Sequence, residues 1–263
     1  MKKLFLIFLL ILILVPVFIL GYLGLLPGLS ALLGTNKPRD LGIKVTLTDL
    51  TSARGKSQIV YEVLPPETPP EKSREFSGSR PVKAEFSSAE VTALLNNRHW
   101  KYWPYENVQV KFNSDGSGEI SGVLLKDLLP GYGAKIGAPK EAIDLAMKFL
   151  PANPVFYVKG KATLSDNKVS LFEPEKFEIG RLSLPVEMFL SLLPPALVKN
   201  VYAADTGDLA GELAKVQNKR ALIINYINQR IAQLSGFYAK SAYFAENKLV
   251  FDGNLSEKEA TVR

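Results

Sequence analysis

No charged residue interrupts "LFLIFLLILILVPVFILGYLGLL", which runs from Leu4 to Leu26. As a helix, a stretch of that length crosses the roughly 30 Å core of a bilayer. Pro16 inside it is tolerated as a kink. Lys2 and Lys3 precede the span, which puts the N-terminus in the cytoplasm and everything after the span outside. A cleaved signal peptide is the competing reading. Its apolar core is shorter, about 7–15 residues, and ends in an A-x-A-like site. No such site follows Leu20, so the sequence favours an uncleaved anchor. "GLLPGLSALLG" adds a short helix lying in the outer interface.

Beyond the anchor the period shortens. Val45 and Leu47 alternate with Thr46 and Thr48, which predicts a short strand. Residues 39–63 fit either a small subdomain or an addition to the main sheet. "LPPETPPEKSREFSGSRP" (64–81) is rich in Pro, Ser, Glu and Lys and predicts an exposed loop or linker.

From Lys83 onward one unit recurs three times, a helix followed by two strands joined by a polar turn. In the first, Ser87 stands three residues before Glu90, the spacing of a capping box. Val91, Leu94 and Leu95 give that helix its apolar face, and "NVQVKF" and "EISGVLL" follow as strands. In the second, Ile143, Ala146 and Leu150 share a face before "PVFYVKGKATL" and "VSLFEPEKFEIG". The third opens on a long stripe, Leu209, Leu213, Val216, Ile223, Ile227, Ile231 and Leu234, and closes with "FYAKSAYFA" and "LVFDGNL". Hairpins so joined make a largely antiparallel sheet.

The expected fold is therefore α+β. An N-terminal transmembrane helix leads to an exterior domain, a curved and mainly antiparallel sheet of helix–hairpin units packed against a long C-terminal helix. The division is 1–34 anchor and juxtamembrane segment, 35–63 connecting strand region, 64–82 linker and 83–263 exterior domain.

Strand 155–164 presents Phe156, Val158, Gly160, Ala162 and Leu164 on one face and Tyr157, Lys159, Lys161 and Thr163 on the other. One face is apolar and one wet, as in a sheet covered on one side. The small residues Gly160 and Ala162 leave room on the apolar face. The next strand stops at a Gly180–Pro185 corner, "GRLSLP", and "VEMFLSLLPPAL" folds back over the sheet with Val186, Phe189, Leu190 and Leu193. Such a layer is either a plain core or a hydrophobic groove. Candidate groove residues are Phe156, Val158, Gly160, Ala162, Leu164, Phe189 and Ile227.

Composition narrows the chemistry. The 263 residues include no cysteine, which removes disulfides and thiolate metal sites, and a single histidine, His99, which removes two-histidine mechanisms. The net charge of +6 comes from scattered Lys and Arg. That distribution suits an anionic lipid or wall polymer better than nucleic acid, which asks for a concentrated basic face. His99 is expected at the surface or in a turn. Trp100, Tyr102, Trp103 and Tyr105 surround it in "NNRHWKYWPYENV" and read either as a plug for the core or as an interfacial rim. The pairs Glu173/Glu175 and Glu257/Glu259 read as solvated turns. "NSDGSGE" lacks the spacing of a calcium loop. No nucleophile elbow, phosphate loop or zinc motif appears, so no catalytic, cofactor or metal site is expected and the protein is expected not to be an enzyme.

The pattern "EFSSAEVTALLN…NVQVKF…GEISGVLL…VFYVKGKATL…FEIGRLSLPVEMF" resembles the YpmS-type family of bacterial membrane-anchored proteins, whose layout is similar to that of tubular lipid-binding (TULIP) proteins. The resemblance covers about residues 85–255 and contains no invariant catalytic residues. It implies a cell-membrane protein whose extracytoplasmic domain holds a lipid or another amphiphile. The alternatives are an assembly protein that binds another envelope protein and, last, an envelope hydrolase.

Overall fold

A computed structural model describes residues 2–24, 26–138, 140–184 and 219–263. Helix α1 (Lys2–Tyr22) turns at Leu23–Gly24 into the short α2 (Pro27–Leu32). The Ser30 hydroxyl donates to the Gly21 carbonyl at 2.7 Å, tying α2 to the end of α1. Leu12 to Leu20 of α1 stay largely exposed. Among the residues with described side chains, no helix is long and apolar enough to cross a membrane.

Residues 47–57 depart from the expected strand. They form helix α3 (Leu47–Ser57). The Thr46 hydroxyl accepts from the Asp49 amide while the Asp49 carboxylate accepts from the Thr46 amide, a capping box that overrides the brief alternation of Val45 and Leu47. The stretch 64–81 also carries structure. A 3₁₀ turn at Pro70–Lys72 precedes strand β2 (Arg74–Ser77), and β3 (Arg80–Ser87) follows. β2 joins β1 (Val60–Val63) and β11 (Lys258–Thr261) in a three-stranded sheet of order β1-β11-β2, with β11 parallel to β1 and antiparallel to β2.

Six strands of the larger sheet come from the three expected helix–hairpin units. Helix α4 (Ser88–Asn96) precedes β4 (Tyr105–Phe112) and β5 (Gly118–Leu124). Helix α5 (Leu129–Ile136) intervenes. Helix α6 (Lys140–Phe149) then precedes β6 (Val155–Ser165) and β7 (Lys168–Ile179). Helix α7 (Lys219–Ala232) precedes β9 (Tyr238–Ala245) and β10 (Lys248–Leu255). The upstream residues of the predicted long helix, Leu209, Leu213 and Val216, lie outside the described residues. So do Phe189 and the rest of the predicted helix after Pro185.

Strand β6 organises the curl. One edge pairs with β7 along its length. The other is shared, with β5 on residues 155–160 and β9 on residues 163–165. Two wings, β4–β5 and β9–β10–β3, therefore hang from one strand and fold toward each other, and the mostly antiparallel sheet curls into a half-barrel. Where they meet, the Asn247 amide donates to the Phe112 carbonyl at 3.0 Å and the Phe112 and Phe244 rings stack at 5.1 Å. Ala53 of α3 and Val91 and Leu94 of α4 pack with Val82, Phe86 and Phe251 on the inner face.

Two further expectations change. The strand ends just before Gly180 as expected, but the residues after it pair back on β7 instead of leaving the sheet. Gly180, at φ +65°, and Arg181 make a tight turn, and β8 (Leu182–Leu184) pairs back with Ile179 facing Leu182. The outer face of β6 is not wet along its whole length either, because Tyr157 is buried. The Arg39 guanidinium lies over its ring at 4.6 Å and donates to both Glu178 oxygens at 2.8 and 2.7 Å. The Arg39 amide donates to the Ser121 hydroxyl, and the Leu41 amide to the Gln109 side chain. Gln109, Ser121, Tyr157 and Glu178 are mutual partners in one row across β4, β5, β6 and β7. Residues 39–41 are thus a strap laid over four strands.

Candidate functional site

Inside the curl lies a cavity of about 530 Å³. Its walls come from each part of the sheet: Phe112 and Ile120 from the β4–β5 wing, Val158 and Ala162 from β6, Phe177 from β7 and Phe244 from β9. Val91 of α4 and Ile223 of α7 also line it. The chain makes room locally. A bulge between Lys159 and Gly160 shifts the β6–β7 register, and a Cβ on Gly160 would stand 2.7 Å from the Glu173 carbonyl oxygen. A two-residue turn, Asp166–Asn167, closes this hairpin with both residues at positive φ.

Three polar side chains along the cavity, Lys159, Lys176 and Glu119, are engaged by described neighbours set back from its wall. Lys159 pairs with Glu175 at 3.2 Å, an interaction that holds the ammonium above its usual range, and Lys176 meets Glu178 at 3.0 Å. The Glu119 carboxylate accepts from Tyr157 and Asn113. Burial opposes its ionisation, and these hydrogen bonds overcome it, so the carboxyl lies below its usual value.

Of the expected groove residues, Val158, Gly160 and Ala162 line this cavity. Phe156 turns to Tyr105, ring to ring at 5.6 Å, and Leu164 packs with the Phe86–Phe251 cluster. Ile227 faces a different cavity, of about 600 Å³, on the side of β2. The contributions of Phe112, Phe177 and Phe244 were missed. Each stands in an alternating strand, but the sequence shows only that such a residue faces inward, not that the space before it is empty.

The aromatic stretch forms an interlocked cluster. Trp100 is buried, and its indole N–H donates to the Ser73 hydroxyl at 3.1 Å. The Trp103 indole donates to the Leu95 carbonyl. Tyr132 of α5, which the sequence did not single out, is the hub, with Trp100, Trp103 and Tyr105 at 5.7, 6.4 and 5.8 Å from its ring. Burial pushes the Tyr105 and Tyr132 hydroxyls above their usual range. Tyr102 packs edge-on to Trp100. His99 is exposed, and its carbonyl accepts from Thr261.

The Glu257/Glu259 pair is not a solvated turn. Glu259 is 2% exposed and accepts from Arg74 at 2.9 Å and Arg98 at 2.8 Å. Its partners lie far away in sequence, so composition around residue 259 gave no sign of them. Among the described residues no group of three metal-ligating side chains occurs. No family model, no curated protein and no solved structure matches the chain.

Proposed function

We propose that this protein is a membrane-anchored, extracytoplasmic binding module that holds the acyl chain of a lipid or another amphiphile inside its curled sheet. The observation that carries the reading is the roughly 530 Å³ cavity with apolar walls drawn from both wings. Its size falls within the roughly 300–1,000 Å³ of ordinary ligand pockets. The connection to α1 supports it. The turn that ends β7 touches the end of that helix, with the Arg181 amide donating to the Leu23 carbonyl at 3.1 Å. In this reading α1 anchors the chain, α2 lies in the outer interface, and β7 brings Phe177 close to the bilayer from which the ligand comes. The resemblance to YpmS-type and tubular lipid-binding proteins points the same way.

The test uses the full chain. Native mass spectrometry of protein released from detergent micelles is expected to retain a co-purified lipid. Ala162→Phe is expected to remove that lipid with little change in melting temperature, because the ring enters empty space. In a close-packed core the same added volume costs about 1–3 kcal/mol through strain. A wild type that flies without lipid, together with a destabilised Ala162→Phe, would overturn the reading. For the topology, protease added to spheroplasts is expected to digest residues 39–263, and protection of that region would refute the extracytoplasmic placement.

A further inference from the structure

The second cavity differs in chemistry from the first. It encloses about 600 Å³ between β2, the end of α5 and α7. Phe76, Trp100, Ile227 and Ile231 supply apolar wall, and Arg74, Lys135 and Arg230 supply three cations. The cations come from positions 74, 135 and 230, so the fold assembles them and no local basic run does.

Among the described residues their charge is incompletely met. Glu75 is the only carboxylate among the described residues lining the cavity, and no described cation pairs with it within 4 Å. Arg74 shares Glu259 with Arg98, two guanidinium groups around one carboxylate. Lys135 donates to the Glu71 carbonyl at 3.1 Å, a neutral partner. Arg230 donates to the Gly137 carbonyl at 3.2 Å and to the Gln233 side chain at 2.8 Å, both neutral. Its buried Nε–H meets no acceptor among the described residues. Burial lowers the affinity of Lys135 for its proton, Glu75 opposes this, and the nearby charge of Arg74 adds to it. Cations gathered in a partly dry cleft repel one another until an anion enters, and charge-assisted hydrogen bonds to guanidinium and ammonium are the strong ones.

We infer that this second cavity binds an anionic group, a phosphate or carboxylate, carried on a short apolar body, with Lys135 and Arg230 holding the anion and Trp100, Ile227 and Ile231 holding the body. A lipid headgroup region and a soluble metabolite both offer that chemistry. The inference is independent of the acyl-chain reading, since the two cavities share no lining residue among the described ones.

Trp100 makes the site observable. The chain has two tryptophans, so Trp103→Phe leaves Trp100 as the sole indole reporter. In that background the full chain, held in phosphatidylcholine nanodiscs, is titrated with hexyl phosphate, inorganic phosphate and hexanol. Hexyl phosphate is expected to give a saturable change in emission, weakened by about tenfold in Lys135→Gln and in Arg230→Gln. Lys135→Arg, which keeps the charge, is expected to recover most of the affinity and separates lost charge from lost fold. Ala162→Phe is expected to leave the titration unchanged, because it alters only the first cavity. An equal response to hexanol, or unchanged affinity in both glutamine variants, would overturn the anion site. Inorganic phosphate binding as tightly as hexyl phosphate would overturn the apolar half of the inference. A saturable response in these nanodiscs that anionic phosphatidylglycerol nanodiscs suppress by competition identifies a lipid headgroup as the source. Equal affinity in both identifies a soluble one.

Discussion

The Glu90 carboxylate accepts from the Ser87 amide at 2.7 Å and so caps α4, while Lys56 of α3 reaches it at 2.6 Å and the Ser52 hydroxyl donates to it as well. Burial disfavours its charge, and hydrogen bonds from Lys56, Ser52 and Ser87 more than compensate, so its pKa in the folded chain is lowered. A lowered folded pKa means stability that is present above the unfolded value, about 4.3, and lost as pH falls through the folded one. Glu90→Gln is therefore expected to cost about 1.5–3 kcal/mol at pH 7. The cost should shrink steadily in the acid range, which denaturant unfolding at pH 7 and at low pH will show. An equal loss at both would mean that shape, not charge, matters there. Glu259 is a harsher case. Glu259→Gln keeps the shape but leaves Arg74 and Arg98 facing each other, 19% and 22% exposed. Breaking such a buried group from one side is expected to cost about 3–5 kcal/mol. A thermal melt within a degree of wild type would show that the two arginines find other partners.

Among the elements, the β7–β8 hairpin ties the sheet to the end of α1 through the Arg181 amide and the Leu23 carbonyl, while the 39–41 strap lies across the sheet's outer face. Gly180 sits at φ +65°, and a Cβ there would collide with the Leu23 carbonyl. Gly180→Ala is expected to lower the melting temperature and to loosen the hairpin from α1. Because the chain has no cysteine, the pair Leu23→Cys and Arg181→Cys gives a clean report. It is expected to cross-link under mild oxidation, and less so with Gly180→Ala added. Much at this scale was legible. Helix–hairpin units show as a switch from a 3.6-residue period to a two-residue one, and all three occur with α4, α6 and α7. Helix α3 was missed although Thr46 and Asp49 carry a capping signal, because Val45 and Leu47 alternate over the same residues. The strap could not be read, since Arg39 and Glu178 stand 139 positions apart. Val158, Gly160 and Ala162, which alternation puts on one face of β6, line the first cavity together with Lys159 and Lys161. Whether side chains fill the space before them depends on how far two wings curl, and no single strand encodes that.

At the scale of the whole molecule, the two sheets differ in how the chain assembles them. The larger sheet is made mostly of hairpins between neighbours in sequence. The smaller one takes its central strand, β11, from residues 258–261 and its outer strands from residues 60–63 and 74–77. The fully buried Val262 continues that closure, its amide donating to Ser73 and its carbonyl accepting from Lys101. Deleting residues 257–263 is expected to expose 58–78 to protease while the β6–β7 hairpin stays protected. Simultaneous loss of both would show that the two sheets unfold as one unit. The order of the strands also sets a timetable for the nascent chain. A ribosome adds about 5–20 residues per second, so β11 appears roughly ten to forty seconds after β2. Until then β1 and β2 emerge with bare edges, the kind of surface that pairs with whatever strand is nearest. The interval is a property of strand order and would survive any substitution within β1 or β2. A circular permutant that moves β11 ahead of β1 would abolish it, leaving the same sheet to form while its strands are still leaving the exit tunnel.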